Sequence, residues 1–69
     1  MNDKLSDEEL RNIILNVLRI ENVDEIKQYS PKLKKQMIKK LENIKGTSYH
    51  QISRVIGINR KMVERYIKG

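Results

Sequence analysis

The last third of the chain carries long, hydrogen-bonding side chains at positions that would share one face of a helix. Arginine forms paired hydrogen bonds with guanine, asparagine does so with adenine, and glutamate accepts from cytosine, all at base edges in the major groove. These residue types therefore indicate base recognition in duplex DNA. The candidate base contacts are Asn59, Arg60, Lys61, Glu64 and Arg65.

A second group of polar residues lies just before this one in the sequence. It includes the expected start of a helix at Ser48, where unpaired N–H groups and hydroxyls are suited to holding a phosphate. A lysine precedes that helix and another follows the base-contact group. The candidate phosphate contacts are Lys45, Ser48, Tyr49, His50, Gln51 and Lys68.

The sequence offers little chemistry besides binding. His50 is the only histidine and there is no cysteine, so the usual donors of a metal site are missing. A tyrosine such as Tyr49 or Tyr66 that attacks a DNA phosphate needs a metal or a cluster of arginines, and the pattern contains neither. The acidic run over residues 7–9 is typical of the first turn of a helix. We therefore expect no enzyme activity, no cofactor and no metal.

Two short helices around a glycine are predicted to position both groups of contacts. A capping box formed by Ser48 and Gln51 predicts a helix over about 49–56. Gly57 permits the positive φ of a tight turn, and Asn59 caps a final helix that runs to about residue 68. The spacing therefore places the base contacts on the second helix of the pair.

Apolar and small residues within this segment occupy the positions of a helix-turn-helix over about 48–68. Ser53 is small where the two helices would cross, and Ile58 would fill the space beneath the turn. One face of the recognition helix, about 59–68, then remains outside the core and enters the major groove. The residues of the pattern are Ile52, Ser53, Ile56, Gly57, Ile58, Val63 and Tyr66.

Further helices are predicted in the first half of the chain. A capping box over residues 6–9 opens an amphipathic helix. A second cap signal over residues 22–25 predicts a short helix at about 23–28. The apolar stripe of the first helix is Leu10, Ile13, Ile14, Val17 and Leu18.

A third helix is predicted to begin at Ser30-Pro31, because proline is favoured at the first helical position. Gly46 is placed to end this helix as a left-handed cap. The predicted fold class is thus all-α: a compact bundle of about five short helices that ends in the helix-turn-helix, with residues 1–69 forming one domain. The expected buried stripe of the third helix is Leu33, Met37, Ile38, Leu41 and Ile44.

Charge is divided unevenly along the 69 residues. Residues 1–29 carry four Lys or Arg against seven acidic residues, a net of −3, whereas residues 30–69 carry eleven against two, a net of +9. Such a field favours a polyanionic partner. The absence of cysteine, of a signal peptide and of an apolar run of about 20 residues argues against secretion and against a membrane partner. We expect a cytoplasmic protein.

Three stretches resemble a known family: Ser6 to Leu18, Glu21 to Ile26, and Leu41-Glu-Asn-Ile-Lys-Gly-Thr-Ser-Tyr-His-Gln-Ile-Ser-Arg-Val-Ile-Gly-Ile-Asn-Arg60. They resemble the C-terminal domain of bacterial transposases of the REP-associated tyrosine type. The layout is similar to the DNA-binding domains of the Trp repressor and the replication initiator. The resemblance implies an all-α domain that positions DNA for a separate nuclease domain. The nuclease's His-hydrophobic-His motif and nucleophilic tyrosine have no counterpart in this chain.

The function expected from these features is sequence-specific binding of double-stranded DNA. The chain would be the DNA-binding part of a transposase-type or transcription-regulatory protein, with a second copy or a fused nuclease domain as further partners. The alternative is a helical module for protein–protein interaction, in which the acidic first helix or the recognition helix docks on a partner.

Overall fold

The computed structural model describes residues 4–69, and within this range it contains only helices. This confirms the predicted all-α class. None of the helices described there has the length and apolar composition needed to cross a membrane. The α-helices are α1 (Asp7–Leu18), α2 (Pro31–Lys39), α3 (Tyr49–Ile56) and α4 (Arg60–Lys68). Two 3-10 helices cover Val23–Gln28 and Lys40–Asn43, and the second continues α2 directly.

Polar side chains begin the helices as the sequence predicts. Ser6 Oγ accepts a hydrogen bond from the Glu9 amide at 3.1 Å, and the Glu9 carboxylate accepts one from the Ser6 amide at 3.0 Å. Asn22 and Glu25 form the same reciprocal box at the first 3-10 helix. Ser30 caps α2, with proline at the first helical position. Each cap satisfies amides that would otherwise lack an acceptor.

The third predicted helix ends differently from expectation. Its α-helical part stops at Lys39, the backbone tightens to a 3-10 helix, and Ile44 is extended. Gly46 does have a positive φ of 85°, but it lies in the following turn and does not cap the helix. Ile38, near the end of α2, and Leu41, in the 3-10 helix, are both fully buried, so the core continues across the change of winding.

Two apolar residues of the predicted stripes are exposed. Leu33, in the first turn of α2, is 39% exposed, although the sequence predicts it to be buried. Val17 of α1 is 42% exposed. The buried stripe of α1 is narrower than predicted, because only Leu10, Ile14 and Leu18, at four-residue spacing, are buried, and Leu15 packs against the core as a partly buried residue.

Every helix contributes to a single hydrophobic core. α4 packs against α2 and α3, and α1 packs against α3. Among the described residues no polar or charged side chain is buried. The core consists of Leu10, Ile14, Leu18, Val23, Ile26, Ile38, Leu41, Ile52, Val55, Ile56, Val63 and Ile67.

The turn between α3 and α4 has the predicted left-handed glycine. Gly57 has φ 75° and ψ 26°, and its amide donates to the Ser53 carbonyl at 2.8 Å. The Ile58 amide donates to the same carbonyl at 3.2 Å. These bonds end α3 and turn the chain within three residues, so that α4 starts beside the end of α3.

We expect Gly57→Ala to lower the free energy of unfolding by about 1–2 kcal/mol, since a left-handed backbone is unfavourable for a residue with a Cβ. Gly57→Asn is the matched control, because asparagine tolerates this conformation better. Both variants add a Cβ, which would lie 2.6 Å from the movable Lys27 Nζ, so the crowding of the Cβ is common to the two variants. Urea unfolding measures both. If the two variants were equally stable, the left-handed backbone at residue 57 would not be the cause of the loss.

Candidate nucleic-acid interface

The outward side of α4 is formed by charged side chains, because its apolar residues face the core. Val63 is fully buried and Ile67 is 4% exposed. Lys61 and Arg65, four positions apart, are exposed on the side away from these residues, and Arg60 is exposed in the first turn of the helix. Within residues 4–69, none of these three side chains forms an ion pair or hydrogen bond. They remain available to an external partner. We call Asn59, Arg60, Lys61, Glu64, Arg65 and Lys68 the α4 outer face.

Asn59 begins α4 and has two separate hydrogen-bonding groups. Its side-chain oxygen accepts from the Lys61 amide at 2.8 Å, which caps the helix. The side chain is exposed, and its amide NH₂ group is a donor that the cap does not use. The predicted capping role is confirmed, and one polar group is left for a contact outside the protein.

Glu64 and Lys68 form an ion pair on the same face, with Lys68 Nζ 3.1 Å from Glu64 Oε1. Lys68 Nζ also lies 5.9 Å from the centre of the Tyr49 ring. The hydrogen bond to Glu64, followed by the negative charge of Glu64, raises the pKa of Lys68 above its ordinary value. Glu64, a predicted base contact, is thus bonded to Lys68, a predicted phosphate contact, and Lys68 also lies beside Tyr49, another predicted phosphate contact. These contacts connect the start of α3 to the end of α4.

The start of α3 presents polar groups to the solvent. Ser48 Oγ accepts from the amide of Gln51 at 3.3 Å. The amides of Tyr49 and His50, in the first turn, have no acceptor within the helix. The side chains of Ser48, His50 and Lys45 are exposed, and that of Tyr49 is half-buried. Four of the predicted phosphate contacts thus lie together in sequence and at the surface.

Gln51 departs from its predicted role, because its side chain is directed into the protein. Its Nε2 donates to the Leu5 carbonyl at 2.6 Å and to Asp7 Oδ1 at 3.2 Å, and its Oε1 accepts from Thr47 at 2.7 Å. It therefore does not complete a capping box with Ser48. The structure uses this side chain to tie the segment before α1 to α3, which leaves it unsuited to holding a phosphate.

Asp7 and Arg54 join α1 to α3 by a double hydrogen bond. Arg54 Nε lies 3.0 Å from Asp7 Oδ2, and Arg54 Nη2 lies 2.9 Å from Asp7 Oδ1. Both side chains are about half exposed. Hydrogen bonds from Arg54 and then Gln51 hold the pKa of Asp7 below its ordinary value. The sequence predicts Asp7 only as an acidic residue of a first turn, and this contact was not anticipated.

The lowered pKa of Asp7 predicts a pH dependence of stability. Because the folded carboxyl titrates below the unfolded one, its contribution is present above the ordinary pKa of 3.8 and is lost as the pH falls through the folded value. We expect Asp7→Asn to lower the unfolding free energy at neutral pH and to reduce the further loss on acidification to about pH 3.

Glu8→Gln is the matched control, since Glu8 is exposed in the same first turn and has no ion pair among the described residues. It should keep the pH dependence of the wild-type chain. Urea unfolding at several pH values measures all three proteins. An unchanged pH profile for Asp7→Asn would contradict the role of the Asp7–Arg54 contact.

Two lysines that the sequence did not single out lie close to the ends of α4. A Cβ built on Gly57 would lie 2.6 Å from Lys27 Nζ, which places this ammonium beside the turn before α4. Lys35 Nζ donates to the carbonyl of Gly69, just after α4, at 3.0 Å. Lys27 belongs to the acidic half of the chain, so charge counting gave it no weight. Both lysines reach these positions through the packing of separate helices, which the sequence pattern does not reveal.

No family model, curated protein or solved structure matches the chain. Among the described residues, no group of three or more histidine, cysteine, aspartate or glutamate side chains is arranged to hold a metal. Evidence on function therefore comes from the surfaces of α3 and α4 themselves.

Proposed function

We propose that the chain binds double-stranded DNA in a sequence-specific manner, with α4 in the major groove and the start of α3 against the backbone. The observation that carries this proposal is the exposure of Arg60, Lys61 and Arg65 on one helix without partners among the described residues. Residues four positions apart on a helix are neighbours, so Lys61 and Arg65 are presented together, and Arg60 adds a third exposed cation in the first turn.

The dimensions of α4 suit a major groove. A helix with its side chains is about 10–12 Å across, and the groove is about 12 Å wide. Arg60, Lys61 and Arg65 would donate to base edges, with guanine as the preferred partner of arginine. The NH₂ group of Asn59 would donate nearby. Glu64 would accept from cytosine only by giving up or sharing its bond to Lys68.

Backbone contacts would come from the start of α3 and from the lysines around it. The first-turn amides of Tyr49 and His50 would donate to a phosphate at the positive end of the α3 dipole. Lys45 is exposed just before this helix. Lys68, held beside the Tyr49 ring, would extend the same line of positive charge along α4.

A nucleic-acid partner is favoured over a protein partner by the composition of the α4 outer face. Protein interfaces have cores depleted in charged residues, lysine in particular, whereas α4 presents four exposed cations. Met62, 36% exposed, is the large exposed apolar residue of this helix. Exposed apolar residues that occur singly are common on monomeric proteins. The interaction-module alternative therefore has less support.

The broader role that we propose is that of the DNA-binding part of a transposase-type or transcription-regulatory protein. The similarity of Gly46 to Tyr66 to helix-turn-helix domains supports it. A single recognition helix contacts only a few base pairs, and each mismatch costs about 1–3 kcal/mol. Useful specificity would therefore require a second copy of the chain or a fused domain.

Selection of bound duplexes from a random pool tests this function. We expect one short motif to be enriched. The logarithm of its affinity should fall with the logarithm of salt concentration at a slope of about −4 to −5, as for about five neutralised phosphates. Lack of enrichment would contradict sequence-specific binding. An affinity that barely changes with salt would contradict a DNA interface of this kind altogether.

A further inference from the structure

Lys27 and Lys35 come from elements outside the helix-turn-helix, yet each lies at one end of α4. Lys27 belongs to the first 3-10 helix and Lys35 to α2. Their side chains are exposed. Each end of α4 is therefore accompanied by a lysine that approaches from another part of the fold.

The position of Lys27 is defined by its contact with the turn. Its Nζ and Cε would lie 2.6 Å and 2.7 Å from a Cβ on Gly57, three residues before α4 begins. Asp24 Oδ1 is 3.8 Å from the same ammonium, and the Lys27 side chain remains 49% exposed. The pairing is thus long and open to solvent, which leaves N–H groups of Lys27 for a further acceptor.

The position of Lys35 is defined by the opposite end of α4. Its Nζ donates to the Gly69 carbonyl at 3.0 Å. An ammonium has three N–H groups, and the described residues supply one acceptor for them. α2 packs closely on α4, so the residue is held there by the core and not by the hydrogen bond alone.

Resting on the DNA-binding function proposed above, we propose that Lys27 and Lys35 bind the DNA phosphates that border the groove entered by α4. A recognition helix lies in the major groove with its first turns nearest the base edges. Cations held beside the two ends of that helix would therefore meet phosphates where the chain enters and leaves the groove. Lysine suits this role, because it binds phosphate as a point charge and carries no base preference.

A structural role for the same lysines makes a different prediction. Positive charge near a helix C-terminus stabilises the helix, and the two ammoniums lie near the ends of α3 and α4. If that were their only role, their removal would change the free energy of unfolding and leave the salt dependence of DNA binding unaltered. The slope of affinity against salt therefore separates the two roles.

The test compares two double variants that lose equal charge. One is Lys27→Gln with Lys35→Gln, and the control is Arg11→Gln with Arg19→Gln, two exposed residues on α1 and its C-cap. Fluorescence anisotropy measures affinity for the selected duplex and for a scrambled one over a range of salt concentrations. Urea unfolding checks that each variant is folded at the assay temperature.

We expect the magnitude of the salt slope to fall by about 2 for the lysine variant, since each lost phosphate contact removes about 0.9. Both duplexes should be weakened alike, and Lys27→Arg with Lys35→Arg should restore the slope. The control should keep the wild-type slope. A lysine variant with the wild-type slope would overturn the inference, and so would an equal fall in the control, because net charge alone would then explain the effect.

Failure of this inference is distinguishable from failure of the proposed function. If the wild-type chain binds the selected duplex at a slope of about −4 to −5 and the lysine variant does the same, only the roles of Lys27 and Lys35 are rejected. If the wild-type chain shows no salt-dependent binding, the proposed function is rejected and the inference falls with it.

Discussion

Replacement of Arg60, Lys61 and Arg65 together by alanine should abolish specific DNA binding while leaving the fold intact. Each base contact contributes about 1–3 kcal/mol, so the combined loss should be at least about 3 kcal/mol, or more than about 100-fold in affinity. The three side chains have no intramolecular ion pair among the described residues. Alanine also has the highest helix propensity. The variant should therefore remain as stable as the wild-type chain.

Fluorescence anisotropy with the selected duplex measures the loss, and circular dichroism with urea unfolding verifies the fold. The control is Arg11→Ala with Arg19→Ala, which removes exposed cations from α1 and its cap. We expect this control to change affinity by less than about threefold, because neither residue belongs to the proposed interface and exposed charges outside it are screened by salt. Wild-type affinity in the folded triple variant would reject α4 as the DNA-binding surface.

Ile56→Ala should lower the free energy of unfolding by about 2–5 kcal/mol, the cost of leaving a cavity at a buried isoleucine. Ile56 ends α3 and is 1% exposed. A short domain has little stability to lose, out of a general range of about 5–15 kcal/mol. The variant should therefore be partly unfolded at 37 °C, and its DNA affinity should fall with the folded fraction.

Leu33→Ala is the informative control for this variant. Leu33 belongs to the stripe that the sequence predicts to be buried, but it is 39% exposed in the structure. We expect a change within about 0.5 kcal/mol, as at other surface positions. The midpoint of urea unfolding measures the stability of both variants, provided that the slope of the unfolding free energy against urea concentration is unchanged. A loss at Leu33 as large as at Ile56 would contradict the packing of α2 described here.

The helix starts could be predicted because their signals are local. Ser6, Asn22, Ser30, Ser48 and Asn59 all accept hydrogen bonds from amides two or three residues ahead, as their side-chain types indicate. Such bonds depend on chemistry within one turn of the chain. The positive φ of Gly57 could be predicted for the same reason, because it depends on the residue type at that one position.

The contacts that the sequence did not predict join residues far apart in the chain. Asp7 and Arg54 are 47 positions apart, and Lys35 and Gly69 are 34 apart. Periodicity and composition identify which face of a helix is buried, but not which polar residue of another helix lies opposite. Gln51 illustrates the consequence, because its polar side chain was expected to face DNA and is instead hydrogen-bonded to the segment before α3 and to that at the start of α1.

These pairings also change the distribution of charge. Arg54 is paired with Asp7, and Lys68 with Glu64. Both pairs involve the basic half of the chain, so part of its charge is compensated on α3 and at the end of α4. The uncompensated cations of α4 lie towards its first two turns, at Arg60, Lys61 and Arg65. A recognition helix brings those turns nearest the base edges.

Mapping of amide chemical shifts during titration with the selected duplex tests the central claim most directly. We predict the largest changes from Asn59 to Lys68 and at the start of α3, with α1 nearly unchanged. Changes confined to α1, with α4 silent, would contradict the account and would favour a protein-interaction module instead.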